Sequence, residues 1–73
     1  MIRILGIDPG LASTGYGIID ADGTRFAHVT DGVIATSPDS PPGDRLLRLH
    51  DALVAILREF EPREAGIERL YFG

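Results

Sequence analysis

The chain of 73 residues contains no cysteine, so disulfide bridges and thiolate metal sites are excluded. It also contains no apolar run near the roughly 18 residues that a membrane helix needs. Its N-terminus lacks the charged and then apolar pattern of a secretion signal. These absences fit a cytoplasmic protein, and we expect no contact with a membrane.

Positive charge is also scarce. The sequence has no lysine, its seven basic residues are all arginine, and its 11 acidic residues give a net charge of −4. Such a surface should not attract nucleic acid strongly by itself, because counterion release needs a basic patch. The acidic surplus is typical of a solvated surface, although carboxylates can also hold a hard cation. With 44% hydrophobic residues, the chain should fold, as one small domain or part of one.

Apolar and turn-forming residues predict a simple order of elements. The order is three strands, a helix and a strand, at Ile2 to Asp8, Thr14 to Ala21, Arg25 to Thr36, Asp44 to Phe60 and Ala65 to Leu70. The stretch from Asp20 to Gly23 predicts a hairpin turn, because Asp-Gly favours such turns. Ser40 is the expected N-cap of the helix, with proline in its first turn, and Pro62 ends it.

This order predicts an α/β fold class. The first three strands should form an antiparallel meander, and the helix should be a crossover to a fourth strand parallel to strand one. An apolar stripe on the helix, including Leu46 and Leu57, should face the sheet. One helix covers only one face, whereas the strands are apolar enough for cover on both. We therefore expect the front half of an α/β domain.

Two carboxylates are candidates for chemistry. Asp8 closes strand one and Glu68 lies within strand four, so parallel pairing would bring both to the carboxyl edge of the sheet, where ligands bind. Neighbouring carboxylates repel unless a proton or cation lies between them, and Mg²⁺ or Mn²⁺ accepts oxygen ligands. The alternative is that Asp8 is a turn former and Glu68 an edge-strand charge.

Other polar residues allow more than one interpretation. Gly10 would let a phosphodiester approach Asp8 without a side chain in the way. Arg45 and Arg48 lie one helical turn apart; they are either phosphate contacts or a solvated face paired with acidic neighbours. Neither His28 nor His50 has a partner histidine at metal-binding spacing.

Two motifs carry a family resemblance. The stretch GIDPGLASTGYGII, residues 6–19, resembles the start of the RuvC family of Holliday junction resolvases. PREAGIERLYFG, residues 62–73, resembles the second acidic motif of that family, a glutamate in a short apolar strand followed by aromatic residues. The order of strands, helix and acidic strand also fits, so the resemblance covers the whole chain.

The resemblance implies an RNase H-like fold with a five-stranded mixed sheet. It implies a dimeric, Mg²⁺-dependent endonuclease, with Mn²⁺ as a possible substitute, that nicks four-way DNA junctions in pairs and works with branch-migration motor proteins. Asp8 and Glu68 match catalytic carboxylates that bind the metal. Tyr71 and Phe72 match the aromatic position implicated in contacting DNA, and Gly10 and Thr14 are further candidate DNA contacts.

The sequence departs from the family pattern in one respect, since family members carry a second acidic pair on a late helix. We therefore expect residues 1–73 to be the N-terminal part of a single nuclease domain whose remainder is absent, and to be inactive alone. One alternative is an actin-like or sugar-kinase ATPase, in which Asp8 would coordinate the Mg²⁺ of a nucleotide and Gly10 to Thr14 would hold phosphate. Pro9 argues against it, because proline removes an amide donor. The others are the shorter RuvX-like nucleases and a non-enzymatic small α/β module.

Overall fold

Four strands and one helix make up the fold. The computed structural model describes residues 1–10 and 12–67, with β1 at Ile2–Pro9, β2 at Ser13–Asp22, β3 at Arg25–Ala35, α1 at Pro42–Phe60 and β4 at Glu64–Ile67. The strands form one sheet in the order β3-β2-β1-β4. β1 is antiparallel to β2 and parallel to β4. The predicted meander, crossover helix and parallel fourth strand are confirmed.

The hairpin between β2 and β3 is tighter than the sequence predicts. Its loop is Gly23 and Thr24, while Asp20 and Ala21, expected in the turn, are paired residues of β2. Gly23 has a φ of 62°, a conformation that glycine adopts without steric cost. A two-residue loop with glycine at its first position can connect two antiparallel strands by itself, so Asp20 and Ala21 remain free to pair within the sheet.

A β-bulge in β3 changes which side chains share a face. Ile18 pairs with Thr30 and Ile19 pairs with His28, so Val29 is the extra residue on the β3 side. Without the bulge His28 and Asp31 would point to opposite faces. With it they lie on the same face, and His28 Nε2 lies 2.7 Å from Asp31 Oδ2.

The helix begins at Pro42 rather than Asp44, and Ser40 is not its N-cap. The cap residue is Pro41, with φ −55° and ψ 146° and no side-chain cap bond. Its carbonyl accepts from the backbone N–H groups of Asp44 and Arg45 at 3.0 and 3.1 Å. Prolines have the fixed φ of a first turn and no N–H to satisfy there, so a serine cap is not required.

The helix ends where it was predicted to end. Glu61 is left-handed, with φ 49° and ψ 54°, and its N–H donates to the Leu57 carbonyl. Pro62 follows directly. Within the described part of the chain, no helix is both long and apolar enough to cross a membrane.

One face of the sheet packs against α1. The buried core joins one residue from each of β1, β2, β3 and α1, namely Leu5, Ile18, Ile34 and Ile56. Leu46 is 68% exposed and Leu57 45% exposed, so these two predicted members of the stripe do not face the sheet. The opposite face carries Ile4, Gly6 and Asp8 of β1, by alternation with Leu5, and is called the open face below. No element of residues 1–10 and 12–67 covers it.

Arg3, at the start of β1, forms an ion pair with β2 and a hydrogen bond with the end of α1. Arg3 Nε and Nη2 donate to the two carboxylate oxygens of Asp20 at 2.9 and 3.1 Å, and Nη1 donates to the Phe60 carbonyl at 3.1 Å. The hydrogen bond from Arg3 lowers the pKa of the Asp20 carboxyl, and the same bond raises the pKa of Arg3. Because the C-terminus of α1 lies beside the start of β1, its N-terminus lies at the edge where β1 ends.

Candidate functional site

Asp8 lies on the open face, near the carboxyl end of β1. It pairs with Gly15 of β2, and a Cβ placed on Gly15 would lie 3.9 Å from the Asp8 Cβ, which shows that the two positions share a face. The Asp8 side chain is exposed. None of residues 1–10 and 12–67 forms a hydrogen bond or ion pair with its carboxylate. This carboxylate is therefore available to a cation.

A row of glycines crosses the open face beside Asp8. Gly6 pairs with Gly17 on one side and with Gly66 on the other. A cavity of about 470 Å³ lies here, lined also by Asp8 and Asp31. A Cβ on Gly17 or Gly66 would meet nothing within 4 Å. Packing among the described residues therefore does not require these glycines, and they leave room for a group that approaches Asp8.

Glu68, Tyr71 and Phe72 lie outside the described residues, so their predicted roles stay predictions. The described register leads up to Glu68: Ile67, the residue before it, pairs with Ile7, the residue before Asp8. Among residues 1–10 and 12–67, no three His, Asp or Glu side chains come together as a metal site. The described part of the site thus offers the carboxylate of Asp8, an oxygen donor of the kind that Mg²⁺ prefers. Asp31 lines the same cavity, but its carboxylate contacts His28.

Gly10 and Thr14 lie on the α1 side of the sheet edge, whereas Asp8 lies on the open face. A Cβ on Gly10 would overlap the Ser13 carbonyl oxygen, so the loop between β1 and β2 itself requires glycine there. Thr14 is 6% exposed and pairs with Pro9 and with the core residue Ile34, so it faces α1. Both residues line a second cavity of about 240 Å³, on the other side of the sheet edge from Asp8.

Two arginines of α1 contact the end of β3. Arg48 Nε donates to the Ala35 carbonyl at 2.6 Å, and Arg45 Nε donates to Thr36 Oγ1 at 3.4 Å. The sequence allows two interpretations of these arginines, contact with phosphate or pairing with acidic neighbours. Arg48 forms no ion pair with any described residue. In the sequence, the only sign of such a site is the position of the two arginines one helical turn apart, soon after the loop that follows β3. This spacing does not show that both side chains contact the end of β3.

The comparisons with known proteins decide the family. The model of the family described as "Crossover junction endodeoxyribonuclease RuvC" matches residues 4–73. The chain belongs to the RuvC family. A crossover junction endodeoxyribonuclease RuvC of Gluconacetobacter diazotrophicus is 55% identical over 71 residues, which are 97% of this chain and 42% of that protein. The chain thus spans less than half the length of this curated RuvC relative.

Solved RuvC structures share the fold. The RuvC structure of Thermus thermophilus has a TM-score of 0.84 and 29% identity, over 96% of this chain and 46% of that one. The structure of T. thermophilus RuvC in complex with a Holliday junction substrate has a TM-score of 0.83 and 26% identity, over 100% of this chain and 45% of that one. The predicted RNase H-like fold class is confirmed.

Proposed function

We propose that the protein to which this chain belongs is a metal-dependent endonuclease that resolves four-way DNA junctions by paired phosphodiester hydrolysis. The observation that carries the proposal is the match of residues 4–73 to the RuvC model, together with the exposed carboxylate of Asp8 at the carboxyl end of β1. Because the chain spans 42% of its relative, the activity belongs to the whole protein. Residues 1–73 are proposed as the N-terminal part of its single nuclease domain, inactive alone.

Asp8 is the proposed catalytic carboxylate and metal ligand, with Glu68 as its partner. The parallel pairing of Ile67 with Ile7 supports this, since it aligns the residues that precede the two carboxylates. When bound, Mg²⁺ or Mn²⁺ polarises a phosphoryl oxygen and lowers the pKa of a bound water. Asp8 would hold and orient the ion. The glycine row beside it leaves the space in which a phosphodiester can approach.

The remaining assignments concern partners. Tyr71 and Phe72 are proposed to stack on DNA bases, a contact that any aromatic ring can make without sequence preference. Gly10 and Thr14 are proposed to lie along the DNA path. The whole protein is proposed to act in the cytoplasm as a homodimer, with branch-migration motor proteins as partners. Family membership supports each of these roles.

Family membership also favours the nuclease over the alternative functions that the sequence allows. An actin-like or sugar-kinase ATPase and a non-enzymatic α/β module share the strand order of this chain, so strand order does not distinguish them. A RuvC family match over residues 4–73 favours the nuclease. The glutamate followed by aromatic residues at 68–72 favours it over the RuvX-like group.

Substitution of Asp8 by Asn tests the function. In the full-length protein, Asp8→Asn should lower the rate of four-way junction cleavage with Mg²⁺ by at least about 10²-fold, because a neutral amide holds a divalent cation poorly. Junction binding measured without metal should be retained. The measurement is single-turnover cleavage of a labelled synthetic junction, with a linear duplex as the substrate control.

A matched variant controls for charge. Asp51 is exposed in the middle of α1, which packs on the face of the sheet opposite Asp8, and it contacts His50, so Asp51→Asn should cleave like the unmodified protein. Equal cleavage by Asp8→Asn and the unmodified protein would contradict the assignment of Asp8. Absence of junction cleavage by the unmodified protein would contradict the function itself.

A further inference from the structure

We propose that Arg45 and Arg48, which the end of β3 holds in place, form a binding site for a backbone phosphate of the DNA strand, on the α1 side of the sheet edge where β1 ends. The site is separate from Asp8, which lies on the open face of the same edge. The inference rests on the proposed function, because it takes junction DNA as the ligand. The positions, contacts and charges of the two arginine side chains support this site.

Positive charge in the first half of α1 lies at this edge of the sheet. Arg45 and Arg48 lie in the first half of α1, at the edge where β1 and β3 end. The other arginines that the structure describes lie towards the opposite edge: Arg3 beside Phe60, Arg25 at the hairpin, Arg58 in the last turn of α1 and Arg63 against the Arg3 carbonyl. A chain with a net charge of −4 thus keeps two positive charges at the edge where β1 ends.

Contacts with the end of β3 hold both guanidinium groups in place. Arg48 donates from Nε to the Ala35 carbonyl and Arg45 from Nε to Thr36 Oγ1. Arginine has five N–H donors in a planar fork that matches phosphate. Among residues 1–10 and 12–67, the Nη groups of Arg48 donate no hydrogen bond. An arginine anchored at Nε loses less conformational entropy when Nη binds an anion.

The site is connected to the edge of the sheet that carries Asp8. The Thr36 N–H donates to the Ala12 carbonyl at 3.0 Å, so the end of β3 is tied to the loop that follows Asp8. The cavity of about 240 Å³ between this loop and α1 is lined by Gly10, Ser13, Thr36 and Arg45. The Ser13 hydroxyl and the Arg45 guanidinium are suitable partners for a phosphate, whereas the Thr36 hydroxyl donates to the Ala12 carbonyl at 3.4 Å. A DNA strand that crosses this edge of the sheet meets Asp8 on one face and the two arginines on the other.

Junction binding by the full-length protein tests the site. Affinity for a synthetic four-way junction is measured without metal across a range of salt concentrations. Arg48→Gln removes the charge but keeps a donor for the Ala35 carbonyl. It should lower affinity by about tenfold, equally for all junction sequences, and reduce the slope of log affinity against log salt by about one. Arg48→Lys should keep most of the affinity, because it keeps the charge.

Two further variants make the result decisive. Arg45→Gln tests the site without touching the Ala35 contact and should lose affinity in the same way. Arg58→Gln removes a charge from the far end of the same helix and should leave binding unchanged. Thermal unfolding of each variant separates loss of the site from loss of the fold.

The proposal is overturned if folded Arg48→Gln or Arg45→Gln binds with the affinity and salt slope of the unmodified protein. An equal loss in Arg58→Gln would also overturn it, since the effect would then be general charge. An unmodified protein that fails to bind junctions would instead contradict the proposed function, so the two failures are distinguishable.

Discussion

Gly10 shows how a single residue shapes the edge that carries Asp8. The sequence suggested that its missing side chain leaves room for a phosphodiester. The structure adds a second reason, because a Cβ there would overlap the Ser13 carbonyl oxygen. The chain reverses direction between Pro9 and Ser13, and the backbone approaches itself too closely for any other residue without movement.

We expect Gly10→Ala to destabilise the fold by about 1–3 kcal/mol, because the Ser13 backbone must move to admit the methyl group. Junction cleavage should fall as well, since the displaced loop follows Asp8 directly. Chemical denaturation and single-turnover cleavage of the full-length variant measure the two effects.

Gly43 provides the matched control. It lies in the first turn of α1, and a Cβ there would meet nothing within 4 Å. Gly43→Ala should therefore be neutral or stabilising by about 0.5–1 kcal/mol. If Gly10→Ala proved as stable as Gly43→Ala, the close approach to Ser13 would not matter to the fold.

At the scale of elements, Arg3 joins the end of α1 to the sheet. Arg3 belongs to β1, Asp20 to β2, and the Phe60 carbonyl to the end of α1, so one guanidinium joins three elements. It also satisfies a carbonyl at the helix C-terminus, where such groups lack partners within the helix. The start of α1 is thereby placed beside the end of β1.

The Arg3–Asp20 ion pair predicts a pH-dependent contribution to stability. The pKa of the Asp20 carboxyl is lowered in the folded state by the hydrogen bond from Arg3. The contribution should be fully present above the unfolded pKa, about pH 4, and lost as the pH falls through the lower folded value. Asp20→Asn should therefore unfold at a lower temperature than the unmodified protein at pH 7, with a gap that narrows towards pH 2.

Thermal unfolding across this pH range measures the gap. Asp22→Asn, at the exposed end of β2, is the control and should show little difference at any pH. A gap for Asp20→Asn that stays constant from pH 7 to pH 2 would contradict an electrostatic origin.

The described part of the molecule is two layers thick. Its smallest extent is 15 Å, which fits one helix packed on one sheet. The open face carries apolar side chains from the three strands of the meander; Phe26 and Val33 on β3 are 68% and 67% exposed. Exposed apolar surface of this kind favours association.

We expect isolated residues 1–73 to self-associate at concentrations where the full-length protein has a defined oligomeric state. Sedimentation velocity over a range of concentrations measures this. Val33 and Phe26 lie on the open face, so Val33→Ser and Phe26→Ser should each reduce the association. A monomer at every concentration would contradict the expectation that this face is a surface for packing.

The sequence by itself determined the order of elements, the parallel pairing of the last strand and the family motifs around Asp8. These depend on signals that are local in the chain: apolar periodicity, Asp-Gly and Pro-Gly turns, and a crossover long enough to hold a helix. Local signals also misled, as at Ser40, where Pro41 rather than the serine occupies the cap position.

Only the tertiary structure decided which side chains share a face and which edge they occupy. Asp8 lies on the open face and Thr14 on the face against α1, although they are only six positions apart in the sequence, because the β1–β2 register assigns each its side. His28 and Asp31 meet because of a bulge. Arg48 reaches the end of β3 because α1 packs across the sheet with its first turns at that edge. Register, bulges and helix direction arise from contacts between distant residues, which no local pattern encodes.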